Sequence, residues 1–174
     1  VYTGSLLLIL MYALAQLNLL INYLSAKKKT AHCPVFDFEN PEEIPVVTIQ
    51  LPVYNEMYVM RRLLDNIAKI DYPREKLEIQ VLDDSTDVSL KTTALKIKQL
   101  LVTGLDIKHI TRSNRSGFKA GALKQGLEIA KGEYIAIFDA DFLPQHNWLY
   151  KTIPYFKDAE IGVVQTRWGH INKN

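Results

Sequence analysis

From Val46 onward, short apolar runs alternate with amphipathic segments of about 10 to 15 residues. This alternation is typical of βαβ units, in which parallel strands are joined by right-handed helical crossovers. The predicted strands cover residues 46–52, 76–84, 106–112, 133–141 and 161–168. The predicted helices cover residues 56–70, 88–101, 117–132 and 146–158. Pro154 is expected to disturb the last of these helices. Asn55 is predicted to cap the first helix and Gly132 to end the third. The pattern therefore predicts an α/β fold with a parallel sheet.

Polar side chains follow four of the predicted strands. The first strand ends in LPVYNE, the second in VLDDSTD, the third in TRSNRSGFKAG and the fourth in FDAD. Ligands of such sheets bind beyond the carboxyl ends of the strands, so these groups are expected to share one site. Taken alone, Asp83 and Asp84 are equally compatible with an Asx turn or a helix cap. Four coincident polar strand ends favour a functional site.

The fourth strand end carries two carboxylates, Asp139 and Asp141. On an extended chain, residues two apart point to the same side, so these charges repel each other. A hard divalent cation, Mg²⁺ or Mn²⁺, takes carboxylate ligands and shares them with substrate phosphates. We therefore predict a metal site at these two residues that also holds a diphosphate leaving group. Arg112, Arg115 and Lys119, after the third strand, add positive charge beside it.

Several ligand classes are disfavoured by the sequence. The first strand is not followed by G-x-G-x-x-G, and G-x-x-x-x-G-K-[ST] does not occur, which argues against dinucleotides and Walker-type triphosphate sites. A net charge of +2 gives no indication of nucleic-acid binding. The single cysteine, Cys33, excludes an intrachain disulfide. His32 and Cys33 have no second Cys/His pair at zinc-ligand spacing.

The N-terminal segment is apolar. Residues 5–24 carry no charge and are followed by lysines at positions 27, 28 and 29. Twenty helical residues span about 30 Å, the thickness of a bilayer core. The lysines follow the apolar run, unlike those of a signal peptide, and predict that the next domain stays in the cytoplasm. We predict a transmembrane helix over residues 1–26 and a juxtamembrane linker over residues 27–45; a buried core helix and a membrane-surface helix are the alternatives.

The stretches LPVYNE, QVLDDSTD, GFKAGALKQGL and YIAIFDADF, in this order and spacing, resemble the donor-binding half of family-2 glycosyltransferases with the GT-A fold. The similarity is greatest to membrane-bound processive synthases, namely cellulose synthase and the cellulose-synthase-like glucomannan and mannan synthases. It covers residues 46–174. The resemblance implies a Rossmann-like, parallel-sheet domain that binds a nucleotide sugar and is incomplete at its C-terminus.

The resemblance assigns residues to the nucleoside side of this site. It implies that Pro52, Tyr54 and Glu56 line the nucleoside pocket. It further implies that Asp84, with Asp83 beside it, meets the nucleobase. Nothing in these loops distinguishes uracil from guanine.

The remaining residues belong to the diphosphate side. The resemblance implies that Lys119 contacts the diphosphate-sugar, and Arg115 is predicted to add positive charge there. Asp139 and Asp141 match the family's D-x-D, which touches ribose, metal and diphosphate.

Two signatures of the processive members are absent from the sequence: a T-E-D that carries the general base, and a Q-x-x-R-W that helps to hold the acceptor. QTRW at residues 165–168 is one residue short of the second signature. In the family both lie downstream. The chain is therefore expected to be a fragment, with its general base beyond residue 174.

The resemblance implies an inverting, metal-dependent hexosyltransferase that extends a β-glycan from UDP-glucose or GDP-mannose. It also implies a location in an inner, plasma or Golgi-type membrane. One alternative is a sugar-nucleotide pyrophosphorylase, which would need a glycine-rich loop with a basic residue where this chain has PVYNE. The other is a non-catalytic, membrane-attached sugar-nucleotide-binding protein.

Overall fold

The computed structural model describes residues 2–27, 38, 40, 42–167 and 169. The chain divides into two compact units, Val1–Cys33 and Pro34–Asn174. Several sequence features lie outside the described residues: the lysines at 28 and 29, the His32–Cys33 pair, and Trp168 of the QTRW stretch.

The N-terminal unit contains helix α1 (Tyr2–Lys27). Its segment Tyr2–Ser25 has a mean hydropathy of 2.0, and none of this segment is buried within the chain. Asn22 Nδ2 donates to Asn18 Oδ1 at 3.3 Å, which pairs two of the polar groups along the helix. The predicted helix is confirmed. By length and composition it is able to cross a membrane, and the crossing itself stays a prediction.

The second unit is built on a sheet of four parallel strands, in the order β3-β2-β1-β4. The strands are β1 (Val47–Val53), β2 (Leu77–Asp83), β3 (Asp106–Thr111) and β4 (Tyr134–Ile137). The crossovers contain helices α2 (Met57–Ile67), α3 (Ser89–Leu101) and α4 (Phe118–Glu128), and β4 is followed by α5 (Trp148–Thr152). Short 3-10 helices occupy Arg74–Lys76 and Ile153–Lys157. The predicted parallel sheet is confirmed, and Pro154 lies where α5 gives way to the 3-10 turn.

The two faces of the sheet differ in chemistry. Because side chains alternate along a strand, one face of β1 presents Val47, Ile49 and Leu51, which join the apolar core with α2. The opposite face buries a polar row made of Thr48, Gln50, Glu78 and Gln80. Helix α4 covers this row through Gly126, where a Cβ atom would lie 2.6 Å from Gln50 Nε2.

Glu78 is the centre of the polar row. It accepts hydrogen bonds from Thr48 Oγ1 at 2.6 Å, from Lys108 Nζ at 2.5 Å and from the amide of Lys131 at 2.8 Å. Burial tends to raise the pKa of its carboxyl, but these hydrogen bonds outweigh burial and lower the pKa. The buried carboxylate therefore connects β1, β2, β3 and the α4–β4 loop on the side of the sheet that α4 covers.

Two predicted helix boundaries are wrong. Asn55 does not cap α2, which begins after Glu56 without a side-chain cap. Asn55 has a left-handed backbone (φ +56°), and its Oδ1 accepts the amide of Thr86 at 2.9 Å, so it joins two loops at the strand ends. Gly132 does not end α4, which stops at Glu128. Its close approach to β1 requires glycine, because a Cβ atom would lie 2.3 Å from the amide nitrogen of Thr48.

One predicted strand boundary and one predicted strand are also wrong. Strand β4 ends at Ile137, so Asp139 and Asp141 do not share one side of an extended strand. They lie instead in a turn closed by Phe142 N and Asp139 O at 3.0 Å. Residues 161–167 form no strand in the described part of the chain. A strand requires a neighbour for its backbone groups, and none of the described strands pairs with this segment.

Candidate functional site

A cleft of about 580 Å³ opens at the carboxyl ends of β1 and β2, beside the turn after β4 and the first turns of α4. Eight of the nine predicted site residues line it: Pro52, Tyr54, Glu56, Asp84, Arg115, Lys119, Asp139 and Asp141. The apolar part of the lining comes from Val53, Leu82, Ala122 and Ala140. The strand-end residues therefore do converge on one concave site.

Asp83 is the predicted site residue that the structure does not place in the cleft. Its side chain is buried on the other face of the sheet, where Oδ2 lies 2.9 Å from His109 Nε2. Its Oδ1 accepts the amide of Ser85 at 3.0 Å, which is an Asx turn. The predicted base contact is thus not supported for Asp83, because neighbouring residues at a strand end point to opposite faces.

The environment of Asp83 makes the stability of the fold dependent on pH. Burial tends to raise the pKa of the carboxyl, but hydrogen bonds from His109 and Ser85 outweigh burial and lower the pKa. A carboxyl with a lowered folded-state pKa stabilises the fold above its unfolded pKa of about 4. This contribution is lost as the pH falls through the folded pKa.

We therefore expect Asp83→Asn to lower the free energy of unfolding at pH 7 and to flatten its decrease as the pH falls below about 5. Urea unfolding of the detergent-solubilised chain, followed by tryptophan fluorescence at a series of pH values, measures both effects. Glu128→Gln, which removes an exposed carboxylate on α4, is the control and should change neither. An acid dependence of Asp83→Asn identical to that of the wild type would contradict this account.

Asp84 lies at the cleft, yet its carboxylate is already paired. Arg112 Nε donates to Asp84 Oδ1 at 2.8 Å, and Arg112 Nη2 pairs with Oδ2. Arg115 Nε lies 3.8 Å from the same Oδ2. An ionised carboxylate has about four acceptor positions. Arg112 uses two of them, so at most two remain for a ligand.

Arg115 packs on aromatic rings, a contact that charge patterning does not reveal. Its guanidinium lies 3.3 Å from the centroid of the Tyr54 ring and 5.4 Å from that of Phe118. Contacts of this kind are cation–π interactions. Phe118 is 68% exposed and has a left-handed backbone, φ +48°. Tyr54 and Arg115, both part of the cleft lining, therefore stack on each other.

The diphosphate side of the predicted site places the positively charged Lys119 beside the carboxylates of Asp139 and Asp141. Lys119 Nζ pairs with Asp139 Oδ1, and both side chains are about half exposed. Lys119 is the second residue of α4, where backbone N–H groups and the helix dipole favour anions. The Lys119 ammonium thus offsets part of the charge repulsion between Asp139 and Asp141.

The donor set is suited to a divalent cation that is shared with a ligand. No group of three or more His, Cys, Asp or Glu side chains is placed to hold a metal among the residues that the structure describes. Asp139 and Asp141 provide two carboxylates at the cleft. Mg²⁺ bound by one or two carboxylates completes its coordination with phosphate oxygens and water. The residues present fit this arrangement.

Comparison with known proteins identifies related sequences. The family model described as Glycosyl transferase family 2 matches residues 48–174. The probable glucomannan 4-beta-mannosyltransferase 7 of Oryza sativa subsp. japonica is 44% identical over 135 residues, which cover 75% of this chain and 23% of that protein. Glucomannan 4-beta-mannosyltransferase 1 of Cyamopsis tetragonoloba is 36% identical over 168 residues, 92% of this chain and 32% of that protein. The chain spans about a quarter to a third of the length of these relatives.

Solved structures show the same architecture. The mannosyltransferase PcManGT from Pyrobaculum calidifontis, determined in complex with GDP-Man and Mn2+, is 34% identical and superposes with a TM-score of 0.66. The match covers 82% of this chain and 41% of that one. Residues 1–349 of S. aureus TarS match at 28% identity with a TM-score of 0.51, over 66% of this chain and 31% of that one. The predicted GT-A fold is confirmed.

Proposed function

Because the chain belongs to glycosyl transferase family 2, we propose that its cleft binds a nucleotide sugar as the donor for transfer of a hexose to a glycan. We further propose GDP-mannose as the donor and a growing β-glycan as the acceptor. The names of the relatives and the GDP-Man complex of the structural neighbour support mannose over glucose. The observation that carries the proposal is the convergence of acidic and basic strand-end residues on one cleft.

The nucleoside would lie on the side formed by the ends of β1 and β2. The stacked pair of Tyr54 and Arg115 offers a planar surface for the base, and Pro52 and Glu56 line the cleft beside it. The free acceptor positions of Asp84 suit an N–H group on the edge of the base. This placement leaves the diphosphate pointing toward α4.

The diphosphate would lie between α4 and the turn after β4. Lys119 and the α4 N-terminus would bind its oxygens, and Asp139 and Asp141, which also line the cleft, would hold Mg²⁺ or Mn²⁺. A bound cation stabilises the negative charge of a departing diphosphate. Lys119 would exchange its ion pair with Asp139 for the phosphates when the donor enters.

In an inverting transfer, an acceptor hydroxyl forms the new bond to the anomeric carbon as the bond to the diphosphate breaks. A general base must accept the hydroxyl proton. Asp84 is held by Arg112, and Asp139 and Asp141 are assigned to the metal, which makes them poor bases. Glu56, the other carboxylate of the cleft lining, is assigned to the nucleoside side. We therefore place the general base outside the described residues.

A transfer assay with the full-length protein tests this proposal. Membranes containing that protein are incubated with radiolabelled GDP-mannose or UDP-glucose and an oligosaccharide primer. We expect label to be incorporated from GDP-mannose into a product that β-mannanase digests. Incorporation from UDP-glucose alone would contradict the donor assignment. No incorporation from either donor, in membranes where the protein is folded, would contradict the proposed transferase activity.

We also propose that α1 spans the bilayer with the second unit on the cytoplasmic side, as the following lysines indicate. The single cysteine, Cys33, follows these lysines and reports the topology directly. A membrane-impermeant maleimide should label Cys33 only after intact cells are permeabilised. A Cys33→Ser variant controls for background. Labelling of Cys33 in intact cells would contradict the predicted orientation.

A further inference from the structure

Arg112 directly follows β3, and its guanidinium donates hydrogen bonds to one carboxylate and two backbone carbonyls. It makes the bidentate contact with Asp84 described above. Nη1 also donates to the carbonyl of Ser116, and Nη2 to the carbonyl of Phe118, both at 2.9 Å. The side chain is only 10% exposed. A guanidinium has five N–H groups in a rigid fork, so these contacts use most of its hydrogen-bonding capacity.

These contacts connect the two sides of the proposed donor site. Asp84 directly follows β2, on the nucleoside side. The loop over residues 112–117 carries Arg115 and leads into Lys119 on the diphosphate side. Arg112 is not itself part of the cleft lining. Arg112 therefore fixes side chains that line the cleft, although its own side chain does not line the cleft.

The loop before α4 has a strained backbone, which the hydrogen bonds from Arg112 stabilise. Gly117 and Phe118 have consecutive left-handed backbones, φ +72° and +48°. A non-glycine residue in this region is strained and persists only where its surroundings hold it in place. The two carbonyls bound by Arg112, those of Ser116 and Phe118, lie on either side of Gly117. The guanidinium thus stabilises the turn from which α4 starts.

Gly121 supports the importance of the contact between Arg112 and the loop before α4, because only glycine fits beside it. A Cβ atom at Gly121 would lie 2.8 Å from Arg112 Nη1 and 2.1 Å from the carbonyl oxygen of Ser116. Glycine inside a helix is less stable than alanine. Here it lets the first turns of α4 pass against the guanidinium and the loop.

We propose that Arg112 is a positioning residue for donor binding, which orients the Asp84 carboxylate and fixes the loop that presents Arg115 and Lys119. This inference rests on the proposed function, since it assumes that the cleft holds a nucleoside diphosphate. Lysine cannot replace Arg112, because an ammonium lacks the planar fork that reaches a carboxylate and two carbonyls together.

Calorimetric titration of the full chain with GDP and with guanosine, in the presence of Mn²⁺, tests the proposal. Arg112→Met should weaken GDP binding on the order of tenfold or more, the equivalent of about 1.4 kcal/mol per factor of ten. Arg112→Lys should not restore affinity. Gly121→Ala, which keeps every charge, should weaken binding in the same direction. Arg61→Met removes an exposed arginine on α2 and should leave GDP affinity unchanged.

A double substitution separates positioning from general stability. If Arg112 acts partly through Asp84, the loss caused by Arg112→Met should be smaller in an Asp84→Asn background. Unchanged GDP affinity in folded Arg112→Met and Gly121→Ala, with only the free energy of unfolding lowered, would overturn the proposal. If Arg112→Met does not fold, Arg112→Lys and Gly121→Ala decide. A wild-type chain that binds neither GDP nor UDP would instead refute the proposed function.

Discussion

Asp141→Ala is expected to abolish Mn²⁺-dependent binding of GDP-mannose while leaving the chain folded. Asp141 lines the cleft, and its side chain has no hydrogen bond or ion pair within the described part of the chain. Asp139, in contrast, is already paired with Lys119. Removing Asp141 therefore deletes the carboxylate most available to a cation, and it also relieves repulsion between like charges. Asp139→Ala should have a smaller effect, because it frees Lys119 for the phosphates.

Titration calorimetry with and without Mn²⁺ measures this effect, and thermal unfolding checks that the fold is retained. Glu128→Ala, which removes an exposed carboxylate on α4, is the matched control and should bind like the wild type. The metal assignment is wrong if Asp141→Ala binds GDP-mannose in Mn²⁺ as tightly as the wild type does.

Asp84→Asn should weaken nucleotide binding about ten- to a hundredfold. A charge-assisted hydrogen bond to a base N–H group is worth roughly 1.5–3 kcal/mol. The substitution replaces the charged acceptor and also weakens the pairing with Arg112. Affinity for GDP, measured by calorimetry on the folded variant, reports the two effects together.

The neighbouring aspartate offers a matched control within the same strand end. Asp83→Asn makes the same chemical change on the other side of the sheet, where the side chain is buried against His109. It should lower the free energy of unfolding and leave GDP affinity nearly unchanged. If Asp83→Asn weakened GDP binding as much as Asp84→Asn does, the assignment of the two residues to different faces would fail.

The parallel sheet is predictable from the sequence because its strands and helices are indicated by short, local residue patterns. Apolar runs and helical periodicity indicate βαβ units, and the crossover rule then makes the strands parallel. The same rule brings the residues after β1, β2 and β3, and those after β4, to one edge of the sheet. This explains why eight of nine predicted site residues meet at the cleft although they are distant in sequence.

The exceptions have a physical origin. Asp83 and Asp84 are adjacent, and alternation along the strand sends only one of them to the cleft. The stacking of Arg115 on Tyr54 and the contacts of Arg112 depend on loop conformations that no periodic pattern specifies. Asn55 was predicted as a cap from its residue type, but tertiary hydrogen bonds to the β2–α3 loop determine its conformation. The predicted strand over residues 161–168 has suitable composition, and residues 161–167 pair with none of the described strands.

The central claim is that this cleft binds a nucleotide sugar together with a divalent cation. Calorimetric titration of the chain with GDP-mannose, with Mn²⁺ and then with EDTA, tests it most directly, with UDP-glucose titrated in parallel. We predict saturable binding of GDP-mannose at one site that requires Mn²⁺, is displaced by GDP and exceeds the affinity for UDP-glucose. Absence of binding to both nucleotide sugars in Mn²⁺, by a chain shown to be folded, would contradict the account.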